Sequence, residues 1–237
     1  MKSLLSDTHT WTVREVIPEA PLVYSLILEA NEKRPKFISG QYLTVRLPGF
    51  EPAEGKSYSI SSTEEDKFVR LTVKEMGAFS RALITHDVGD TLTTSAPYGF
   101  FYPEHTGDRD LVFIAGGIGI TPCMSIIETL VKEGYPKQVF LFYSNRTIAD
   151  TIFKDELSLL QGKFSRLTIV YHLTREEVSL PHYKSGRITG ESVTASLPTP
   201  LESDFFVCGS IDFTKGLWSE LRKAGIENPQ IYTEGYF

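Results

Sequence analysis

A cluster of three glycines is the part of the sequence best suited to bind a ligand: Gly116, Gly117 and Gly119. It follows an apolar run at 111–115 that predicts a buried strand, and Thr121-Pro122 then opens a segment with apolar residues at helical spacing. Threonine is a good N-cap, and proline fits the first helical position. Glycines let a backbone approach a ligand closely, and the N–H groups at a helix start favour an anion. The pattern predicts a nucleotide diphosphate lying across a strand–turn–helix unit, although a tight turn without a ligand would use the same residues.

The turn departs from the usual dinucleotide fingerprint in two respects. The sequence G-G-I-G-I-T lacks the third glycine of G-x-G-x-x-G. The next strand ends in Y-S-N-R at 143–146, which contains no acid to bind a ribose hydroxyl. These departures argue against an ordinary Rossmann-type dehydrogenase.

Composition excludes several other classes of function. The chain has 237 residues, 41% of them hydrophobic, and a net charge of −6, so it can form two ordinary domains and shows no basic footprint for nucleic acid. Its two cysteines, Cys123 and Cys208, are too few for a four-cysteine iron–sulfur cluster within these residues and offer no disulfide framework. The five histidines lack metal-ligand spacing, so we predict no metal site.

The sequence also predicts where the protein resides. The opening stretch M-K-S-L-L-S-D-T-H-T-W is too short and too polar for a secretory signal. The most apolar stretch, 111–127, is interrupted by three glycines and a proline and is too short to span a membrane. Because scarce cysteines also suit a reducing compartment, we expect a cytoplasmic protein without a membrane span.

The first hundred residues have a pattern of strands and turns that is typical of a small antiparallel barrel. Short β-branched or aromatic segments alternate there with clusters of proline, glycine, asparagine and aspartate. One helix, 80–86, interrupts them and is preceded by Gly77. We predict six strands, at 11–17, 22–29, 41–47, 56–62, 68–74 and 91–95.

The second half alternates strands and helices, which predicts a five-stranded parallel sheet covered by helices on both faces. The charged segment 102–110 is the expected linker, so the domains are predicted at 1–103 and 110–237. Ligands of such sheets bind beyond the carboxyl ends of the strands, where the glycine turn and Cys208-Gly209 both fall. The predicted strands are 111–115, 138–143, 166–172, 204–207 and 230–233, and the predicted helices are 122–133, 150–161, 190–196 and 212–224.

Six short motifs occur in a characteristic order along the chain. They are G-Q-Y at 40–42, K-S-Y-S at 56–59, G-A-F-S at 77–80, G-G-I-G-I-T-P at 116–122, C-G at 208–209 and E-G-Y at 234–236. In this order they resemble the ferredoxin–NADP reductase superfamily of flavoprotein electron-transfer enzymes, close to the reductase modules of flavohaemoglobins and phenol hydroxylases but without a globin or 2Fe-2S domain. The resemblance implies a Greek-key flavin-binding barrel followed by an NAD(P)-binding α/β domain.

The resemblance implies that Lys56, Ser57, Tyr58 and Ser59 bind the flavin. An isoalloxazine ring is flat and apolar with hydrogen-bonding edges, so Tyr58 can pack on it while strand backbone pairs with its rim. Ser59 would hydrogen-bond the redox-active N5 edge. Lys56 replaces the family's usual arginine, and an ammonium neutralises a phosphate without gripping two oxygens, so the flavin could bind more weakly than in relatives.

A second phosphate site favours FAD over FMN, because FMN would leave part of it idle. Ser80 at a helix start supplies a hydroxyl and N–H groups for the flavin pyrophosphate, although an ordinary N-cap would explain it equally well. The further residues that the resemblance assigns to the flavin are Val73, Lys74, Gly77, Ala78 and Phe79.

For the nicotinamide cofactor, the resemblance places the pyrophosphate over Gly117, Gly119, Thr121 and their neighbours Gly116 and Pro122. Cys208 and Gly209 would lie beside the reactive ring, since hydride transfer needs the reacting carbons stacked at about 3–3.5 Å and a small side chain does not block that approach. Cys208 is not expected to be a nucleophile. Glu234 would relay protons or order water, unless it is merely a solvated charge. Tyr236 or Phe237 would cover the flavin face that nicotinamide must displace.

The choice between NADPH and NADH depends on Arg146 and on Thr174-Arg175. Family members that use NADPH carry S-R or T-R at the latter position, and arginine suits a phosphate dianion. Glu176 and Glu177 follow at once and would oppose such an anion. We expect NADPH with acceptance of NADH, while two ordinary surface arginines remain an alternative.

The resemblance implies a two-domain reductase in which NAD(P)H gives hydride to FAD and the reduced flavin passes electrons to an external acceptor. Because the sequence shows neither a globin nor a ferredoxin domain, a separate ferredoxin or flavodoxin-like carrier is the expected partner. Free flavin or a ferric complex is the first alternative acceptor. A rival of another class is a non-catalytic subunit that binds flavin and nucleotide only to regulate or serve another chain.

Overall fold

The computed structural model describes residues 8–104 and 107–236, and the chain divides between Phe100 and Phe101 into two compact units. Over its described residues, unit 1 contains six strands and one helix. In chain order they are β1 (Thr8–Ala20), β2 (Val23–Ala30), β3 (Tyr42–Arg46), β4 (Lys56–Ser59), β5 (Val69–Lys74), α1 (Ala78–Ile84) and β6 (Thr91–Ser95).

The strands of unit 1 form one antiparallel sheet in the order β4-β3-β6-β1-β2-β5. An isolated bridge between Ile60 and Leu71 joins the continuation of β4 to β5, so the two ends of the strand order meet. Alternating side chains point into one core that includes Trp11, whose indole N–H donates to the hydroxyl of Thr94 at 2.8 Å. The predicted antiparallel barrel is therefore confirmed, and β4 lies at one end of its strand order.

Unit 2 alternates strands and helices in the predicted manner. Its sheet is parallel, in the order β10-β9-β8-β7-β11-β12. The elements are β7 (Leu111–Gly116), α2 (Ile120–Glu133), β8 (Val139–Asn145), α3 (Lys154–Lys163), β9 (Leu167–Leu173), β10 (Tyr183–Ser185), α4 (Gly190–Thr194), β11 (Asp204–Ser210), α5 (Ile211–Lys223) and β12 (Ile231–Tyr236).

The central strands of this sheet are apolar on both faces because helices cover both. β7 and β11 are buried along almost their whole length. On one face, residues such as Val112, Ile114 and Val207 pack under Leu217 and Leu221 of α5. This burial explains why the two strands appear in the sequence as continuous apolar runs rather than alternating ones.

Several elements begin or end a few residues away from their predicted bounds. Helix α1, for example, begins at Ala78 after Gly77, so Ser80 is its third residue rather than its start. Two further details differ from the sequence predictions. The sheet has a sixth strand, β10, which is only three residues long and lies at the edge, so no apolar pattern marked it. Helix α2 begins at Ile120 with Gly119 as its N-cap, so Thr121 is not the cap and Pro122 is the third helical residue. A proline is tolerated there because the first N–H groups of a helix have no intrahelical acceptor. No helix in the described ranges is long and apolar enough to cross a membrane.

Candidate functional site

The K-S-Y-S motif forms β4, the strand at one end of the barrel sheet. It pairs with β3 along one side, with Ser59 opposite Tyr42 and Lys56 opposite Val45. Its other side has no strand partner over Lys56–Ser59 among the described residues. Backbone groups on such an edge are available to pair with the hydrogen-bonding rim of a flat ligand.

The ring of Tyr58 connects this strand to the G-A-F-S motif. It stacks on Phe79, with ring centroids 6.5 Å apart and an interplanar angle of 24°. The ammonium of Lys56 lies 5.7 Å from the centroid of the same Phe79 ring, and Phe50 approaches it edge-on at 6.3 Å. Burial raises the pKa of Tyr58 to about 12, so its phenol stays protonated at neutral pH. Two motifs separated by some twenty residues therefore form one aromatic and cationic cluster.

Ser80 does not offer a free hydroxyl. Its Oγ accepts hydrogen bonds from the backbone N–H groups of Met76 and Gly77, at 2.8 and 3.1 Å, and donates to the carbonyl of Gly77. The serine thus holds the turn before α1 in shape. Gly77 and Ala78 are exposed, whereas Phe79 is 2% exposed and Val73 is fully buried, so Val73 offers no accessible surface to a ligand.

The glycine turn of unit 2 is a short 3-10 turn over Gly117–Gly119 between β7 and α2. Gly117 has φ +54, a left-handed conformation that favours glycine, and the space above its Cα is open. A Cβ on Gly119 would lie 2.3 Å from the carbonyl oxygen of Cys208. The hydroxyl of Thr121 donates to the carbonyl of Ile118 at 3.0 Å and so braces the turn. The open space over Gly117 fits close approach by a pyrophosphate.

Cys208 lies on β11 beside this turn and is almost completely buried, with Glu234 opposite it on β12. The pKa of its thiol is raised well above the ordinary value, chiefly by burial and then by the nearby Cys123 and Glu234. The thiol is therefore neutral near pH 7. Gly209 gives room to the ring of Phe213, which a Cβ would meet at 2.5 Å.

Strand β12 also contacts the glycine turn. The hydroxyl of Tyr236 donates to the carbonyl of Gly116 at 2.7 Å, and burial raises the pKa of this phenol. The tyrosine therefore belongs to the wall of the glycine turn within unit 2. Phe237, the alternative residue for covering the flavin, lies outside the described residues.

Arg146 and Arg175, the two arginines predicted to bind the 2′-phosphate, lie together after the carboxyl ends of β8 and β9. The backbone N–H of Arg175 donates to the carbonyl of Arg146 at 2.9 Å, and both side chains are exposed. The N–H of Thr174 donates to Asn145 at 3.0 Å, and these bonds align the two loops. The carboxylate of Glu176 is bound to the loop after β8, because it accepts the N–H of Ile148 at 2.7 Å.

His172, near the carboxyl end of β9, is a buried histidine that the sequence did not single out. The side chain is 3% exposed, and neither ring nitrogen has a hydrogen-bond partner among the described residues. Its strand neighbours are Ser144 and Lys184. Burial, and then the charge of Lys184, lowers the pKa of His172 to about 4. No sequence signal marked it, because burial of a histidine depends on the strand register.

No cluster of metal-ligating side chains occurs in ranges 8–104 and 107–236.

Comparison with known proteins gives two family matches. An oxidoreductase FAD-binding domain matches residues 10–102, and an oxidoreductase NAD-binding domain matches residues 113–217. The flavohemoprotein of Halalkalibacterium halodurans is 30% identical over 96% of this chain and 59% of its own length, and that of Candida albicans is 31% identical over 81% and 50%. The chain thus spans about three-fifths of the length of the first of these relatives and half of the length of the second.

Solved structures share the fold over nearly the whole chain. The flavohem-like FAD/NAD-binding domain of nitric oxide dioxygenase from Vibrio cholerae is 27% identical with a TM-score of 0.85, covering 97% of this chain and 99% of that one. A ferredoxin NADP+ reductase from Neisseria gonorrhoeae, with bound FAD and NADP, is 24% identical with a TM-score of 0.82, covering 98% and 100%. The second likeness supports the fold.

Replacing Gly119 by alanine should disrupt the glycine turn. The new Cβ would lie 2.3 Å from a backbone oxygen, so the turn or β11 must move. For Gly119→Ala we expect at least tenfold weaker NADPH binding by fluorescence titration, a lower melting temperature and unchanged bound flavin. Gly162→Ala, in open space on α3, is the control and should keep the parental NADPH affinity and bound flavin without a lower melting temperature. Parental NADPH affinity in Gly119→Ala would contradict the assignment.

The buried His172 should make stability depend on pH. An unfolded histidine takes up a proton near pH 6.5, whereas this one resists protonation until about pH 4. The unfolded state therefore binds more protons in that window, and the free energy of unfolding falls as the pH falls through it. His172→Phe should reduce this fall by up to about 3 kcal/mol in urea titrations. The exposed His182→Asn serves as control, and an unchanged slope in His172→Phe would refute the prediction.

Proposed function

Because the chain belongs to the ferredoxin–NADP reductase superfamily of flavoprotein oxidoreductases, we propose that it passes electrons from NAD(P)H through FAD to a separate small redox protein of ferredoxin or flavodoxin type. The NAD(P)H-dependent FAD oxidoreductase activity itself follows from the two family matches. When bound, FAD accepts a hydride as an electron pair and can release electrons singly. The flavin-binding part is assigned to residues 1–103 and the NAD(P)-binding part to 110–237.

The barrel residues would hold the flavin beside the cluster formed by Tyr58, Phe79 and Lys56. The free edge of β4 would pair with the ring's polar rim, and Tyr58, half-buried on Phe79, would pack against its face. Lys56 would neutralise a phosphate as a single point charge. Ser59 is half-buried at the end of β4, where its hydroxyl could donate a hydrogen bond toward N5.

The pyrophosphate of FAD would lie at the turn before α1. Ser80 shapes that turn through three hydrogen bonds with Met76 and Gly77, so its role is to position backbone rather than to contact phosphate. Gly77 and Ala78 would offer exposed backbone, with Lys74 nearby on β5. The turn before α1 would thus provide the second phosphate site, which supports FAD rather than FMN as the cofactor.

The residues of unit 2 would orient the pyridine nucleotide. The open approach over Gly117 suits a pyrophosphate, and Thr121 holds the turn rigid. Cys208 would act by its small size and neutrality beside the nicotinamide. Glu234 is half-buried opposite Cys208 and would hold a proton or an ordered water at that place. Tyr236 would fix Gly116 through its buried hydroxyl.

The similarity to flavohemoproteins supports a protein acceptor that takes one electron at a time. The name of these relatives pairs a flavin with a haem iron. The same observation favours a second candidate, in which the acceptor is the haem of a globin. Free flavin or a ferric complex is a further alternative acceptor.

Steady-state assays of the FAD-loaded enzyme would separate these acceptors. NADPH oxidation should be followed with an acidic ferredoxin, a flavodoxin, a ferric globin, free FMN and ferricyanide, each at low and high ionic strength. A docked carrier should lose rate with added salt, because salt screens charge-steered encounter, whereas free flavin should not. A fast, salt-insensitive rate with FMN, and none with the carriers, would overturn the proposal. Flavin bleaching without turnover of any acceptor would favour a non-catalytic subunit.

The paired arginines should govern nucleotide choice. Arg146→Ala and Arg175→Ala each remove a cation that would bind the 2′-phosphate, so KM for NADPH should rise about tenfold while KM for NADH stays constant. Lys163→Ala, exposed on α3, is the matched control. Equal effects on both nucleotides would show that these arginines do not read the phosphate.

A further inference from the structure

A cavity lies in unit 2 at the edge of the sheet opposite the glycine turn. Its volume is about 360 Å³, near the lower end of the range for small-molecule sites. It borders the amino ends of three neighbouring strands, because Arg109 lies just before β7, Asp204 begins β11 and Gln230 directly precedes β12. The nucleotide motifs lie at the carboxyl ends of these strands, so the cavity is separate from the nucleotide site. The lining residues on which the argument depends are Arg109, Leu201, Asp204, Glu227, Gln230 and Tyr232.

One side of the cavity is the end of a stack of aromatic rings. Tyr232 lies on Phe206 with ring centroids 4.6 Å apart and an interplanar angle of 6°, and Phe206 lies in turn on Phe113 at 5.1 Å. Phe206 and Phe113 are fully buried, whereas Tyr232 is half-buried. The ring of Tyr232 is therefore held in a fixed orientation and can still receive an apolar group of a ligand.

Gln230 joins the two turns that border the cavity. Its side-chain N–H groups donate to the carbonyls of Leu201 and Ser203, both at 2.9 Å. Its side-chain oxygen accepts the N–H of Glu227 at 3.0 Å. The turn before β11 and the turn before β12 are therefore ordered without a ligand, which lowers the entropy cost of binding one.

Two opposite charges lie side by side in the lining. Nη1 of Arg109 is 3.5 Å from Oδ1 of Asp204, and the Asp204 side chain is only 10% exposed. The same Nη1 atom is buried and donates no hydrogen bond within the part of the chain that the structure describes. Buried polar atoms are nearly always hydrogen-bonded in folded proteins, so this donor suits an acceptor brought by a ligand. A carboxylate accepts several hydrogen bonds at once, so Asp204 can bind a ligand donor beside Arg109.

A ligand that suits both side chains carries both charges. Its anionic group would accept from the guanidinium of Arg109, and its cationic group would donate to Asp204. The exposed Glu227 supplies a second carboxylate for the cationic group. Because Arg109 and Asp204 are adjacent, the two charged groups of the ligand must be adjacent as well. An α-amino acid meets this condition, since its carboxylate and its ammonium are attached to the same carbon.

We propose that this cavity binds a free α-amino acid with an apolar side chain. Its carboxylate contacts Arg109, its ammonium contacts Asp204, and its side chain packs against Tyr232 and Leu201. Leu201 lines the cavity and is 60% exposed, so it lies at the mouth. The inference is independent of the proposed function, because none of these residues is assigned to FAD or NAD(P)H.

Binding can be measured by saturation-transfer NMR titration of the FAD-loaded protein with L-phenylalanine and L-leucine. We expect saturable binding that saturating NADP+ does not displace. Phenethylamine and 3-phenylpropionate each lack one charge of phenylalanine and should bind at least about tenfold more weakly, because one of the two charged side chains stays unpaired. Equal binding of either analogue, displacement by NADP+, or no binding up to about 10 mM amino acid would overturn the inference.

The place of binding is tested with Leu201→Trp, which leaves the charged pair intact. The larger ring should fill the mouth of the cavity and weaken binding of L-phenylalanine at least about tenfold, while NADPH-dependent reduction of ferricyanide stays constant. Leu159→Trp, a similarly exposed leucine on α3, is the matched control and should bind as the parent does. Asp204→Asn, checked for folding by circular dichroism, should weaken binding to a similar extent.

The outcome for Leu201→Trp decides the inference even if Asp204→Asn does not fold. Parental affinity for L-phenylalanine in Leu201→Trp would show that the amino acid binds elsewhere, and the inference would be wrong. A protein that binds L-phenylalanine in this cavity but reduces no acceptor would leave the inference intact and contradict the proposed function alone.

Discussion

Backbone contact between the glycine turn and β11 is the constraint on which the nucleotide-binding half depends. Gly119 approaches the carbonyl of Cys208 so closely that no side chain fits between them. Gly116 and Gly209, on the adjacent strands β7 and β11, leave space for the ring of Phe213. The glycines thus serve two purposes, since they expose backbone above the turn and bring two motifs together below it. Tyr236 completes the arrangement by binding the carbonyl of Gly116.

The barrel half depends on a different principle, an edge strand supported by aromatic packing. Over Lys56–Ser59, β4 has one strand partner, β3, among the described residues, so its conformation needs further support. Tyr58 stacked on buried Phe79 provides it, and the turn before α1 is fixed by Ser80. A ligand site formed this way keeps backbone groups available while its side chains are already ordered, which lowers the entropy cost of binding.

The sequence by itself determined the two sheet types, the order of the motifs and the cofactor class. Such features follow from local periodicity, turn residues and short motifs, which are readable along the chain. Only the tertiary structure decided that Arg146 adjoins Arg175, that the Ser80 hydroxyl is occupied within its turn, and that His172 is buried without a hydrogen-bond partner among the described residues. It likewise added β10 and moved the start of α2 to Ile120. These outcomes depend on strand register and on packing between residues far apart in the chain, and no local pattern encodes either.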